Sequence, residues 1–438
     1  MAFHQEKNIK LGLLASTLAA ILSGCGSDDS SPSSPSSPSS PSADTTQSST
    51  SNEVTSLNSR MNAISYNVAA NNDTSLCGNS ASSKYLIGTD HFNIVTEIGY
   101  EVSQANATRA AQMAEIVWQD LIAEDMFDID AVNDTTIENE AWTVCLKTAS
   151  NSGFKGSALD YNELEVGYTS TVENDYVLML HEMTHVLGEN IAYLNAVDNG
   201  QIYAMNFSTM RWIKEAIATV SAAQAKIYNS EIESTFYVAT GSSVVSPALM
   251  NSYNDSVSAG FSNSNYDGYS EYYYYATMLQ AIQDQGTNFA LKDWLYLYGD
   301  YDVLTDNAAL ETRFNSLLSN KGITNFTLAD LQTAAGFQTH IVDYIAANYD
   351  KTVSFSADRA YTDFFIETDS IYQPSVEAVT SSLDSAQLLY TVKNISDGNY
   401  KLYAGTSNGD YYGPLDITIS NGAITGPLNL NSLVAFAD

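Results

Sequence analysis

Apolar positions change their spacing several times along this chain, and each change marks a different kind of structure. A short apolar run from Leu11 to Leu22 follows Lys7 and Lys10. It is too short to span a bilayer but suits the h-region of a signal peptide. Residues 26–55 are mostly Ser, Thr and Asp, with Pro32, Pro35, Pro38 and Pro41 at a spacing of three. Such a stretch buries almost nothing and reads as a disordered tether. From residue 56 strand and helix periods alternate. Tyr85 to Ile98 mixes β-branched and aromatic residues and predicts strand. Ala110, Met113, Ala114, Val117, Trp118 and Leu121 form a helical stripe within residues 105–123. Trp142 to Leu146 and Leu159 to Tyr168 read as further strands, and part of 156–168 is expected to line a cleft. From Tyr176 to Leu187 nearly every position is apolar, as in a helix buried on all sides. Helical stripes return in Phe289 to Tyr298 and Leu328 to Tyr349, with Gly286 and Gly299 at helix ends.

Near residue 376 the period drops to two, in Gln387 to Val392, Asn399 to Tyr403 and Leu415 to Ile419. Turns ending in Gly398, Gly409 and Gly422 separate these runs, which predicts a small antiparallel β module of about three to five strands. The pattern as a whole is α+β in four parts: leader 1–25, tether 26–55, a body 56–375 large enough for two subdomains around a cleft, and the β module 376–438.

The buried helix carries polar residues where a core would exclude them: His181, Glu182 and His185. On a helix the two histidines stand one turn apart on one side, so both imidazoles can bind a single Zn²⁺. Glu182 lies about 100° round the helix, close to that ion but not on it, where a carboxylate can take a proton from water activated by the metal. The chain has only 5 histidines, so the H-E-x-x-H pattern has little chance of arising by accident. A catalytic zinc needs a third protein ligand and an open position. Two sources compete. A histidine six residues after the second one would make the metzincin motif, and Gly188 fits its glycine, but Ile191 stands where that histidine should be. The other source is Glu215, within a second helical stretch beginning at Trp212.

The pairing of H-E-x-x-H with the run Trp212, Glu215, Ala216 and Ala218 resembles the gluzincin superfamily of zinc peptidases, over roughly residues 85–300. That resemblance implies a small mixed sheet with a zinc helix, a following helical subdomain, zinc on His181, His185 and Glu215, and Glu182 as general base. It also implies an edge strand within 156–168 pairing with substrate backbone, and a tyrosine at the head of a later helix stabilising the oxyanion. Tyr269 is the nearest match and Tyr272 the reserve, although Glu271 replaces the family's basic residue and Tyr272 its glycine. Thr219 stands where thermolysin-like enzymes carry an acid that orients a histidine. Nothing like the G-x-M-E-N motif of related exopeptidases precedes the zinc helix, which favours an endopeptidase acting on polypeptides. His91 and His340 read as structural.

Leu22-Ser23-Gly24-Cys25 resembles a bacterial lipobox, which implies cleavage before Cys25 and a lipid anchor on it. The alternative is an ordinary signal peptide with an incidental cysteine. Gly26 after the cysteine points to the outer membrane of the cell envelope. Cys77 and Cys145 would meet oxidising conditions there and are expected to form a disulfide, the alternative being two buried thiols. Lys and Arg number 17 against 51 Asp and Glu, a formal net charge of −34, which argues against nucleic-acid partners. The competing functional reading is a surface adhesion or binding lipoprotein whose zinc site is structural or vestigial.

Overall fold

The computed structural model describes residues 56–71, 76–79, 85–96, 102–122, 141–148, 156–169, 171–204, 210–228, 236–237, 270–349, 351–357, 363–367, 372–373, 377–384, 387–406 and 411–425. The expectations for the leader, Cys25, the tether and Tyr269 lie outside the described residues.

Near the start of the described chain come α1 (Leu57–Ala63), β1 (Asn67–Ala70), α2 (Leu76–Asn79), β2 (Tyr85–Gly88), β3 (Phe92–Thr96), α3 (Gln104–Ile122) and β4 (Trp142–Thr148). They are followed by β5 (Gly156–Asp160), β6 (Glu163–Tyr168) and the long α4 (Val172–Asp198). The six strands form one mixed sheet in the order β1-β2-β3-β4-β6-β5. The β3, β4 and β6 strands run parallel, and β5 pairs antiparallel with β6 at the sheet's edge. The run from Tyr85 to Ile98, read above as one strand, breaks at a turn. There the Phe92 N–H donates to Thr89 Oγ1 at 3.2 Å and the Thr89 N–H to the Phe92 carbonyl at 2.9 Å.

Alternation across the strands divides the apolar residues between the two faces. Ile94, Val144, Leu146, Leu164 and Val166 join α3 and α4 in the large core. Val95 and Cys145 face the other way, where Cys77 of α2 completes a small satellite core. The sulfurs of Cys77 and Cys145 lie 2.09 Å apart, at bonding distance, so the expected disulfide is possible in this fold.

Every residue of α4 from Asp175 to Asn190 is buried. The sheet covers one side of it, and α5 (Arg211–Tyr228), α6 (Ser270–Gln283) and α7 (Leu291–Tyr298) build the helical layer beyond. Residues 328–349 do not form the single amphipathic stretch the pattern suggested. Thr327 and Thr333 each cap a new short helix, accepting from the Asp330 and Gly336 N–H groups, and a π-turn over Gln338–Val342 follows.

The C-terminal strands form two antiparallel sheets. Both reach back before residue 376: Lys351–Ala357 pairs with Gln387–Ile395, and Asp363–Glu367 pairs with Gly398–Gly405. The β texture therefore starts at residue 351, where Val353 and Phe355 already alternate with Thr352, Ser354 and Ser356. No helix among the described residues is long and apolar enough to cross a membrane.

Candidate metal centre

Helix α4 places His181 and His185 one turn apart with their Nε2 atoms 3.3 Å from each other. Glu215, from the second turn of α5, brings Oε2 to 3.5 Å from His181 Nε2 and 3.4 Å from His185 Nε2. A tetrahedral zinc ion with N and O ligands at about 2.0–2.1 Å sets its ligand atoms about 3.3–3.4 Å apart. The three edges of this triangle therefore match those of one face of a zinc tetrahedron. The two rings stand edge to face at 84°, so both can point a nitrogen at one centre.

Burial sharpens the chemistry. Relative exposures are 0% for His181, 5% for His185 and 3% for Glu215. Burial pushes the Glu215 carboxyl up, but the His185 and His181 imidazoles outweigh it and hold the group well below the ordinary carboxylate range. Among the described residues Glu215 Oε2 has no hydrogen-bond partner, and neither has His181 Nδ1. A buried carboxylate oxygen aimed between two imidazole nitrogens at these distances fits a cation better than it fits hydrogen bonding. Thr219, which stands where thermolysin-like enzymes carry that acid, is itself buried.

Glu182 is completely buried and faces the sheet edge. An added Cβ on Gly156 would stand 2.4 Å from Glu182 Cγ and 2.5 Å from Oε1, so glycine is what lets β5 lie against this carboxylate. Part of the stretch 156–168 thus borders the centre. The reserve tyrosine also arrives there: the Tyr272 ring, on the first turn of α6, meets His181 edge to face with centroids 6.2 Å apart. Arg211 approaches both, with Nε 4.0 Å from Glu215 Oε1 and Nη2 3.5 Å from the Tyr272 hydroxyl. The other two described histidines stand elsewhere. His91 contacts Glu115 and stacks on Trp118, and His340 packs on Phe326.

Sequence reasoning missed a second polar cluster beside the triangle. Glu189, one turn beyond His185, is completely buried, and Lys214, next to Glu215, is 4% exposed rather than solvated. Lys214 Nζ donates to Glu189 Oε1 at 2.6 Å, Tyr298 Oη to the same oxygen at 2.7 Å, and Tyr203 Oη to Oε2 at 2.6 Å. Burial raises the Glu189 carboxyl, yet the ammonium and the hydroxyls together hold it below its ordinary value. The signal was present in the spacing: positions 181, 185 and 189 form one stripe, and an acid on the ligand stripe of a buried helix needs a partner. Arg211, four residues before Glu215, was visible in the same way.

No protein-family model matches the chain, and no curated protein matches its sequence.

Proposed function

We propose that this protein is a zinc-dependent endopeptidase of gluzincin type. The observation that carries the reading is the triangle of His181 Nε2, His185 Nε2 and Glu215 Oε2, with edges of 3.3, 3.5 and 3.4 Å. When bound, zinc supplies a Lewis acid that makes water acidic and polarises the scissile carbonyl. His181, His185 and Glu215 would hold it, and three protein donors leave a coordination position for solvent or substrate, as catalytic rather than structural sites do.

Glu182 takes the proton from the attacking water and passes it to the leaving amine. Its burial against Gly156 fixes the carboxylate and keeps bulk water from competing. The β5 strand is an edge with one side open among the described residues, so an extended peptide can add there as a further strand, its backbone N–H and C=O groups meeting those of the strand. A tyrosine at the head of α6 donates a hydrogen bond to the carbonyl oxygen as charge builds on it. Tyr269 is the family-like choice, and Tyr272 is the one whose ring stands beside His181. The N-terminal pattern supports export and a lipid anchor on Cys25, holding the folded part at the cell envelope by the tether.

The test is the pair Glu182→Gln and wild type on unfolded casein. Glutamine keeps the shape and loses the base, so turnover should fall by about 10²–10⁴-fold while one equivalent of zinc is retained. Full activity in this variant would refute the assigned mechanism.

A further inference from the structure

Helices α4 and α5 cross antiparallel, as their contacts show: Glu189 meets Lys214, His185 and His181 meet Glu215, and Thr184 meets Ser221. Glu215 is therefore bracketed by two polar pins. On one side Thr184 Oγ1 donates to Ser221 Oγ at 2.9 Å. On the other stands the ion pair Lys214–Glu189, with N···O 2.6 Å and both side chains almost fully buried.

We infer that Glu189 and Lys214 are a positioning pair for the metal centre: their ion pair sets the register of α5 on α4 that puts the Glu215 carboxylate between the two imidazoles. The inference rests on the zinc reading above and adds residues that the H-E-x-x-H and glutamate motifs do not contain. Lys214 precedes Glu215 directly, so any slide or rotation of α5 that separates Nζ from Glu189 moves the ligand as well. A third helix locks the pair. Tyr298 of α7 donates its hydroxyl to Glu189 Oε1 and to the His185 carbonyl, at 2.7 and 3.2 Å, and Lys214 Nζ sits 4.8 Å over its ring. Gly188 makes room for this, because a Cβ there would come within 2.2 Å of the Tyr298 ring. One network thus touches the ligand His185 through its backbone and the ligand Glu215 through its neighbour. Tyr203 closes the remaining Glu189 oxygen at 2.6 Å. A buried ion pair adds little net stability compared with apolar side chains of like volume, which leaves geometry as its contribution.

The experiment uses the full chain, with zinc affinity from chelator competition and the visible absorption of the Co²⁺-loaded protein. Glu189→Gln/Lys214→Met removes both charges and leaves neither unpaired, so it should fold. Its zinc affinity should drop about 10–100-fold, the range seen when groups that orient ligands are lost, and its Co²⁺ bands should shift and lose intensity. Tyr298→Phe, which loses one hydroxyl and no volume, should move both readouts in the same direction by a smaller step, and it decides the matter if the double variant does not fold. A pair that merely fills the core would alter metal-free thermal melts and leave both metal readouts at wild-type values; that result overturns the inference. One zinc equivalent in wild type with unchanged variants defeats positioning alone. No zinc in wild type defeats the functional reading and this inference with it.

Discussion

Two buried glutamates stand one layer apart between α4 and α5, and they are solved in opposite ways. Glu189 has an ammonium at 2.6 Å and two hydroxyls at 2.6 and 2.7 Å, a complete set supplied by the chain itself. Glu215 faces two imidazole nitrogens at 3.4 and 3.5 Å, beyond good hydrogen-bond length, with one oxygen otherwise unmatched among the described residues. An uncompensated buried carboxylate costs several kcal/mol on the order of magnitude, so a core keeps one only where something balances it. The first cluster closes on itself and holds helices in place. The second leaves an oxygen aimed between two imidazoles, and on the proposed reading a cation completes it.

The largest effect expected is metal-linked stability. With free zinc a thousandfold above its Kd, the wild type should gain about 4 kcal/mol, read as a rise in melting temperature that a chelator abolishes. Glu215→Gln should show almost none of this rise. Next comes a contrast of the two glutamates in metal-free protein. Glu189→Gln removes the carboxylate that the buried Lys214 ammonium pairs with and should cost about 3–5 kcal/mol in denaturant melts, whereas Glu215→Gln removes a carboxylate with longer, looser contacts and should cost clearly less. Equal losses would mean that the chain already balances Glu215 without a metal, and the two regions would then be alike. Smaller again is Gly156→Ala. Its methyl group pushes into Glu182 Cγ, which should lower turnover about ten- to a hundredfold while zinc stoichiometry stays at one.

How far each part could be read in advance follows from how local its cause is. The placement of His181, Glu182 and His185 needs only helix geometry, and it appears unchanged. Glu215 lies 30 positions after His185, and a motif resemblance pointed to it where periodicity could not. The Gly156 contact depends on sheet order, with β5 outside β6, and no local pattern encodes that. The pairing of Lys214 with Glu189 depends on the crossing of two helices, so nothing in the local sequence singles it out. Toward the C-terminus Val353 and Phe355 alternate with Thr352, Ser354 and Ser356, but the strand partner lies beyond residue 386, and a run without a nearby partner falls to the body in a local reading. Thr333 broke the helix pattern of 328–349 through side-chain capping, a signal that apolar periodicity does not contain.

A self-completed pair away from the candidate metal centre gives the smallest effect and a sign that can be worked out. His91 Nδ1 lies 2.8 Å from Glu115 Oε2, and Glu115 Oε1 accepts from the His91 backbone N–H at 2.7 Å. The bond to Glu115 raises His91 above its ordinary 6.5 against the opposing effect of burial. Burial raises Glu115, but its bonds to His91 and Thr89 prevail and set it below its ordinary 4.5. A raised histidine contributes fully below 6.5 and stops contributing as pH climbs through its folded value. A lowered carboxyl contributes above 4.5 and stops as pH falls through its own. The pair is therefore at full strength between pH 4.5 and 6.5 and weakens on both sides. The His91 side chain is 41% exposed, so solvent screening keeps the effect below about 1 kcal/mol. The stability difference between wild type and His91→Gln, followed by urea melts from pH 4 to 8, should peak in that window above a constant offset from the lost stacking on Trp118. A difference that is flat across the range would show that the contact is packing alone, and that a partner's charge matters in this protein only where water is excluded.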